Sequence, residues 1–123
     1  MPRANQDRLR LPKGRLQSSE EMEQRGFITW FRLKFPGVLI FYINNGAMHV
    51  ATGKRLKQLG SVAGIPDLYV PRWNTWIEMK TKDGGIVSED QKRIHRYLEG
   101  IGHKVIVGNG AEDASRKILE LRR

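Results

Sequence analysis

Asp67, Glu78 and Lys80, in the stretch "IPDLYVPRWNTWIEMK" (65–80), are residue types that do chemistry on oxygen. Their neighbours Leu68, Tyr69, Val70, Trp76, Ile77 and Met79 read as buried strand. An ionised carboxylate removed from water without a partner is expensive, and two side by side are worse. Suppose the runs at 67–71 and 74–81 form a hairpin around "PRWN", with the turn centred between Arg72 and Trp73. Paired residues then have numbers that sum to 145, so Asp67 faces Glu78 and Tyr69 faces Trp76. Directly opposite residues share a sheet face, with Cβ atoms about 4.5–5.5 Å apart. Lys80 shares that face because side chains alternate along a strand, while Met79 points the other way and leaves its carbonyl near the acids. Like charges so placed destabilise a sheet, and a bound divalent cation reverses the sign. Mg²⁺ takes hard oxygen ligands, often one or two carboxylates completed by water and substrate phosphate. The competing reading is structural: Asp67 as a strand-start cap after Pro66, and Glu78 with Lys80 as an outward stripe. A different register would separate the acids altogether.

The hairpin needs elements around it. Positions 1–18 are polar and basic, with prolines at 2 and 12, and read as a loose arm; 19–123 reads as a single domain. Ser18 or Ser19 can cap a helix opening in "SEEMEQ", with Met22, Phe27, Trp30, Phe31 and Leu33 as its apolar stripe until "FPG" stops it near Lys34. "VLIFYIN" (38–44) is β-branched and aromatic and predicts a strand, followed by an "NNG" turn. A short helix through "GKRLKQLG" precedes the hairpin, and "KDGG" turns the chain after it. Ser88 and Gln91 have capping-box spacing at the start of a helix with Ile94, Leu98 and Ile101 as its stripe, ended by Gly100 and Gly102. "KVIVG" is a buried strand and "AEDASRKILELRR" an amphipathic helix. The order α β (α) β β α β α predicts an α/β sandwich with helices on both sheet faces.

Twenty-two Lys and Arg against 13 Asp and Glu give a net charge of +9. Positions 1–15 hold five basic residues and one acid, so the remainder is basic too. That balance points to a polyanionic partner, nucleic acid above all. No cysteine is present, which excludes disulfides, thiolate metal sites and a cysteine nucleophile. The longest apolar run, 38–43, is far too short to span a bilayer, and the basic N-terminus lacks the apolar core of a signal peptide; a soluble, cytoplasmic protein is expected. His49, His95 and His103 are scattered without metal-ligand spacing and read as structural or surface residues. Nonspecific grip on phosphates is expected from the arm, from Lys54, Arg55 and Lys57, and from Lys92, Arg93 and Arg96.

Pro66-Asp67, ten residues, then Glu78-Met79-Lys80 resembles the PD-(D/E)XK nuclease signature. The flanking segments narrow the likeness. "LKQLGSVAGIPDLYV" is similar to the lead into the motif in the virus-type replication-repair nuclease (VRR-NUC) family. "WIEMKTKDGGIVSEDQKRIHRYLEGIGHKVIVGNGAEDA" is similar to that family's strand, glycine turn, Ser-x-x-Gln helix and closing strand–helix. "SEEMEQRGFITWFRLKFP" and the later "FYINNG" resemble its first helix and Asn-Gly turn, with Asn44 where a proline is common. The resemblance runs from about Ser19 to Ile118 and looks like the small stand-alone form of phages and prophages, acting in a bacterial host.

The resemblance implies a restriction-endonuclease-like core and phosphodiester hydrolysis dependent on Mg²⁺ or Mn²⁺. It implies branched DNA as substrate, four-way (Holliday) junctions foremost, and a homodimer, whose two-fold symmetry suits paired cuts. Asp67 and Glu78 would bind the metal, with Met79 adding its backbone carbonyl. Lys80 would orient or activate the attacking water and steady the charged phosphorane. Gln91 matches the family glutamine, a role compatible with its place in a capping box. Glu20 matches the acid of the first helix through its spacing to Gln24, with Glu23 as rival; either could equally be a solvated acid favouring the helix dipole. The alternatives are a 5′-flap or sequence-specific restriction-type endonuclease, or a non-catalytic basic DNA-binding protein.

Overall fold

In the computed structural model of the chain, the structure describes residues 19–43 and 53–122. The arm at 1–18, the Asn-Gly turn with Asn45, and His49 lie outside the described residues. The elements are α1 (Ser19–Lys34), β1 (Phe41–Tyr42), α2 (Gly53–Gln58), β2 (Leu68–Val70), a 3₁₀ turn (Pro71–Trp73), β3 (Thr75–Lys80), α3 (Glu89–Gly100), β4 (Lys104–Asn109) and α4 (Ala111–Leu121). This is the order expected from the sequence.

The strands form one mixed sheet in the order β1-β2-β3-β4. The β1–β2 and β2–β3 pairs are antiparallel; β4 runs parallel to β3, with α3 as the crossover between them. The hairpin register is Leu68↔Ile77, Tyr69↔Trp76 and Val70↔Thr75, each pair summing to 145. Pro71 starts the turn, and Asn74 ends it in the left-handed region at φ 51°, which asparagine tolerates better than most residues. The Tyr69 hydroxyl donates to Asn74 Oδ1 at 2.7 Å and fastens the turn to the strand.

The two faces differ in chemistry. Leu68, Val70, Ile77, Met79 and Ile106 pack with Phe27 and Phe31 of α1 and Ala114 and Ile118 of α4 to make the core. Each such side chain, fully buried, contributes about 1.5–3 kcal/mol for the large apolar types. At Gly108 a Cβ would stand 2.5 Å from the Ala114 Cβ, so α4 lies against β4 more closely than any other residue permits. The opposite face carries a row of rings, Phe41, Tyr69, Trp76 and His103, with Tyr69 and Trp76 centroids 4.2 Å apart. Farther along β3 that face carries Glu78 and Lys80, covered by α3.

Three expectations need correction. Of the expected strand 38–44, whose last position lies outside the described residues, β1 covers Phe41–Tyr42, because β2 offers it Leu68–Val70 before Pro71 ends the ladder; Val38 is held in a turn by the Phe35 carbonyl. Met22 and Leu33 are 60% and 79% exposed, since the buried line of α1 runs through Phe27 and Phe31, one turn apart, and both fall off it. In α3 the buried residues are His95 and Leu98, while Ile101 sits past the last turn and is exposed.

Candidate active site

Asp67 lies just before β2 and is held at both ends. Its carbonyl accepts the Ile43 N–H at 2.7 Å, and its Oδ2 accepts the Met79 N–H at 2.8 Å. Its side chain therefore reaches across the hairpin to β3, beside Glu78. Glu78 is 2% exposed. Burial, then the charge of Asp67 and a hydrogen bond with its side chain, push the Glu78 carboxyl up to about 9, although Lys80 opposes the rise. At neutral pH Glu78 thus holds a proton when no cation is present. The sum-to-145 register brings the two acids together as the sequence predicts.

Lys80 is 7% exposed. Its Nζ donates to Gln91 Oε1 at 3.1 Å. The same oxygen accepts the Ser88 N–H at 2.9 Å, and the Gln91 N–H donates to Ser88 Oγ at 3.1 Å, which completes the capping box. Gln91 therefore caps α3 and holds Lys80 through the same side-chain oxygen. Gly85 backs the lysine stem: a Cβ there would lie 3.1 Å from Lys80 Cδ. The two first-helix acids part company. The Glu20 carboxyl is raised by burial and by Asp67 and lowered by Lys80, so it stands within electrostatic reach of both. Glu23 instead accepts the Ala111 N–H at 2.7 Å and caps α4 from α1.

An open cleft of about 680 Å³ runs along α1 to Asp67, lined among others by Glu20, Gln24, Arg25, Arg32 and Tyr42. Acids lie at the Asp67 end. Arg25 and Arg32, two helical turns apart on one face, were not expected from the sequence as phosphate contacts; their seven-residue spacing on the helix of Glu20 is the signal that could have found them. Of the expected contacts, Lys54, Arg55 and Lys57 sit on α2, and Arg96 is exposed on α3. Lys92 and Arg93 are paired on the α3 surface with Glu89 at 3.5 Å and Asp90 at 2.9 Å.

His95 is buried rather than at the surface, with its Nε2 3.7 Å from Glu78 Oε1. Among the described residues no group of three or more His, Asp or Glu side chains converges to hold a metal ion unaided. The oxygens at hand are the carboxylates of Asp67 and Glu78 and the backbone of Met79. Such a hard-oxygen donor set, with Glu78 Oε1 buried and unpaired, fits a cation of the Mg²⁺ type that keeps waters, and not a thiolate–imidazole metal.

Comparison with known proteins gives a likeness of fold. No protein-family model matches the chain, and no curated protein matches it. A solved structure described as a "VRR_NUC domain protein" superposes with a TM-score of 0.68 over 85% of this chain and 88% of that one, at 23% identity. The chain has the fold of a VRR_NUC domain. The match spans most of both chains. Among the described residues no helix is long and apolar enough to cross a membrane.

Proposed function

We propose that this chain is a metal-dependent DNA endonuclease of the VRR-NUC type, acting on branched DNA, foremost four-way junctions, as a homodimer. The observation that carries the reading is the meeting of Asp67 and Glu78 across the β2–β3 hairpin, with Lys80 beside them held by Gln91. A structural role alone does not account for a half-buried Asp67 set against a buried Glu78 whose carboxyl is driven far above its ordinary value. The likeness of fold and the positive charge of the chain support the same reading.

Asp67, Glu78 and the Met79 carbonyl would hold Mg²⁺ or Mn²⁺. When bound, such a cation polarises a non-bridging phosphate oxygen and acidifies a water. Lys80 sits where negative charge develops on the phosphorane, and its Nζ orients the attacking water toward phosphorus. Gln91 fixes the Lys80 ammonium, which otherwise has four rotatable bonds to wander through. Glu20 adds a third acid at the rim, and the polar products are 5′-phosphate and 3′-hydroxyl ends. The DNA backbone approaches along the α1 cleft, its flanking phosphates meeting Arg25 and Arg32. Lys54, Arg55, Lys57, Lys92, Arg93 and Arg96 add nonspecific contacts whose strength falls with salt.

The deciding experiment incubates the chain and its Lys80→Ala variant with Mg²⁺ or Mn²⁺ and a labelled four-way junction, a 5′-flap or linear duplex. Paired, symmetry-related nicks on the junction, lost in the variant, are the expected result. Tight binding with no cleavage of any branched DNA would leave a basic DNA-binding protein. Cutting of linear duplex at one sequence would make it a restriction-type enzyme instead.

A further inference from the structure

Helix α3 runs over β3 in the opposite sense, so that its successive turns meet successive same-face residues of the strand. Gln91 meets Lys80, and His95, one turn later, meets Glu78. The spacings match: four helical residues advance about 6 Å, and two strand residues about 6.6 Å. The first of the two contacts is a made hydrogen bond at 3.1 Å. The second stands at 3.7 Å between His95 Nε2 and Glu78 Oε1. Both of those atoms are buried and neither has a hydrogen-bond partner. Buried polar atoms go unpaired only rarely in folded proteins, and two that face each other share one explanation.

We infer that His95 is a positioning residue for Glu78, its Nε2–H directed at Oε1 from behind so that the carboxylate is aimed toward Asp67 and a bound divalent cation. The inference rests on the reading of Asp67 and Glu78 as metal ligands. The present separation is within about 1 Å of an N–H···O hydrogen bond, a distance that a small rotation of either side chain covers. Glu78 side-chain bonding with Asp67 occupies the front of the carboxylate. His95 closes the back, and Leu98, also buried on α3, helps to seat the helix on the sheet. Carboxylate ligands of metals are generally held in this way by a second group, and removing that group typically weakens metal binding by about 10–100-fold. Asp67 has its own such group in the Met79 N–H. His95 supplies the counterpart for Glu78, from a different element.

The test measures Mn²⁺ binding to the full chain without DNA, by titration calorimetry and by the electron paramagnetic resonance signal of free Mn²⁺. The wild type is compared with His95→Leu, His95→Gln and Glu78→Gln, and thermal unfolding of each is followed in EDTA. His95→Leu is expected to bind Mn²⁺ about 10–100-fold more weakly while unfolding in EDTA within about 3 °C of the wild type. His95→Gln, whose side-chain amide can also donate, should recover most of the affinity. Wild-type affinity in His95→Leu would overturn the inference. So would equal losses in the Leu and Gln variants accompanied by a fall in the EDTA midpoint, which would make His95 a packing residue. If the wild type and Glu78→Gln alike bind no Mn²⁺, the metal-site reading fails, and this inference goes with it.

Discussion

Asp67 has two functions that different substitutions separate. It accepts a backbone N–H from Met79, and its negative charge helps to push up the Glu78 carboxyl beside it. Asp67→Asn keeps an oxygen for the Met79 N–H and removes the charge, so in EDTA this variant should be as stable as the wild type or more so, with cleavage abolished. Asp67→Ala strands the Met79 N–H and should lose about 1–3 kcal/mol; urea unfolding of both variants checks the contrast. Glu78 gives a pH signature. Its folded value is raised from 4.5 to about 9, so its contribution to stability is fully present below about 4.5 and is lost as pH rises through about 9. In EDTA, the wild type should lose stability relative to Glu78→Gln across that window, read from unfolding midpoints at several pH values. The acids and the lysine were legible in the sequence because alternation along a strand has a period of two, and one turn position then fixes every pair. His95 was not legible. A lone histidine carries no spacing signal, and only the packing of α3 on β3 shows what it faces.

The helices carry predictions of their own. Arg25 and Arg32 are proposed to follow the DNA backbone along the α1 cleft. Replacing each by alanine should weaken binding to every DNA shape alike and reduce the slope of log K against log salt by about 1. Fluorescence anisotropy at three or more salt concentrations measures this. A change confined to one DNA shape would assign these residues to shape selection instead. On α4, burial raises the Asp113 carboxyl, but the Asn109 N–H, Lys117 and Arg116 outweigh it and hold the group down at about 2. Its contribution is therefore present above about 3.8 and is lost as pH falls through about 2. Asp113→Asn should flatten the acid limb of the stability curve, read by circular dichroism. Helix placement was largely legible, because capping residues and breakers mark ends. Which line of α1 is buried was not: its apolar residues are spread around the helix, and only contact with β3 and α4 selects Phe27 and Phe31 over Met22 and Leu33. The choice between Glu20 and Glu23 had the same difficulty, since both are first-helix acids and only the start of α4 claims Glu23.

At the scale of the molecule, alternating element types and strand lengths made the α/β architecture readable, and the hairpin register followed from one assumption about its turn. The length of β1 did not, because an edge strand extends only as far as its neighbour allows, and β2 is cut short by Pro71. A homodimer is proposed to place two such sites for paired cuts on a four-way junction. Analytical ultracentrifugation of the free chain should give about twice the 14.2 kDa of one copy, and a monomeric species that still makes paired nicks would remove the dimer from the mechanism. One atom of the fold bears on durability as well. Gln91 Oε1 serves both the first turn of α3 and the ammonium of Lys80. Helix ends are where heat first loosens a protein, and here the loosening of an end releases the lysine. Incubation at rising temperature should therefore extinguish nicking, reversibly on cooling, some degrees below the temperature at which the sheet melts.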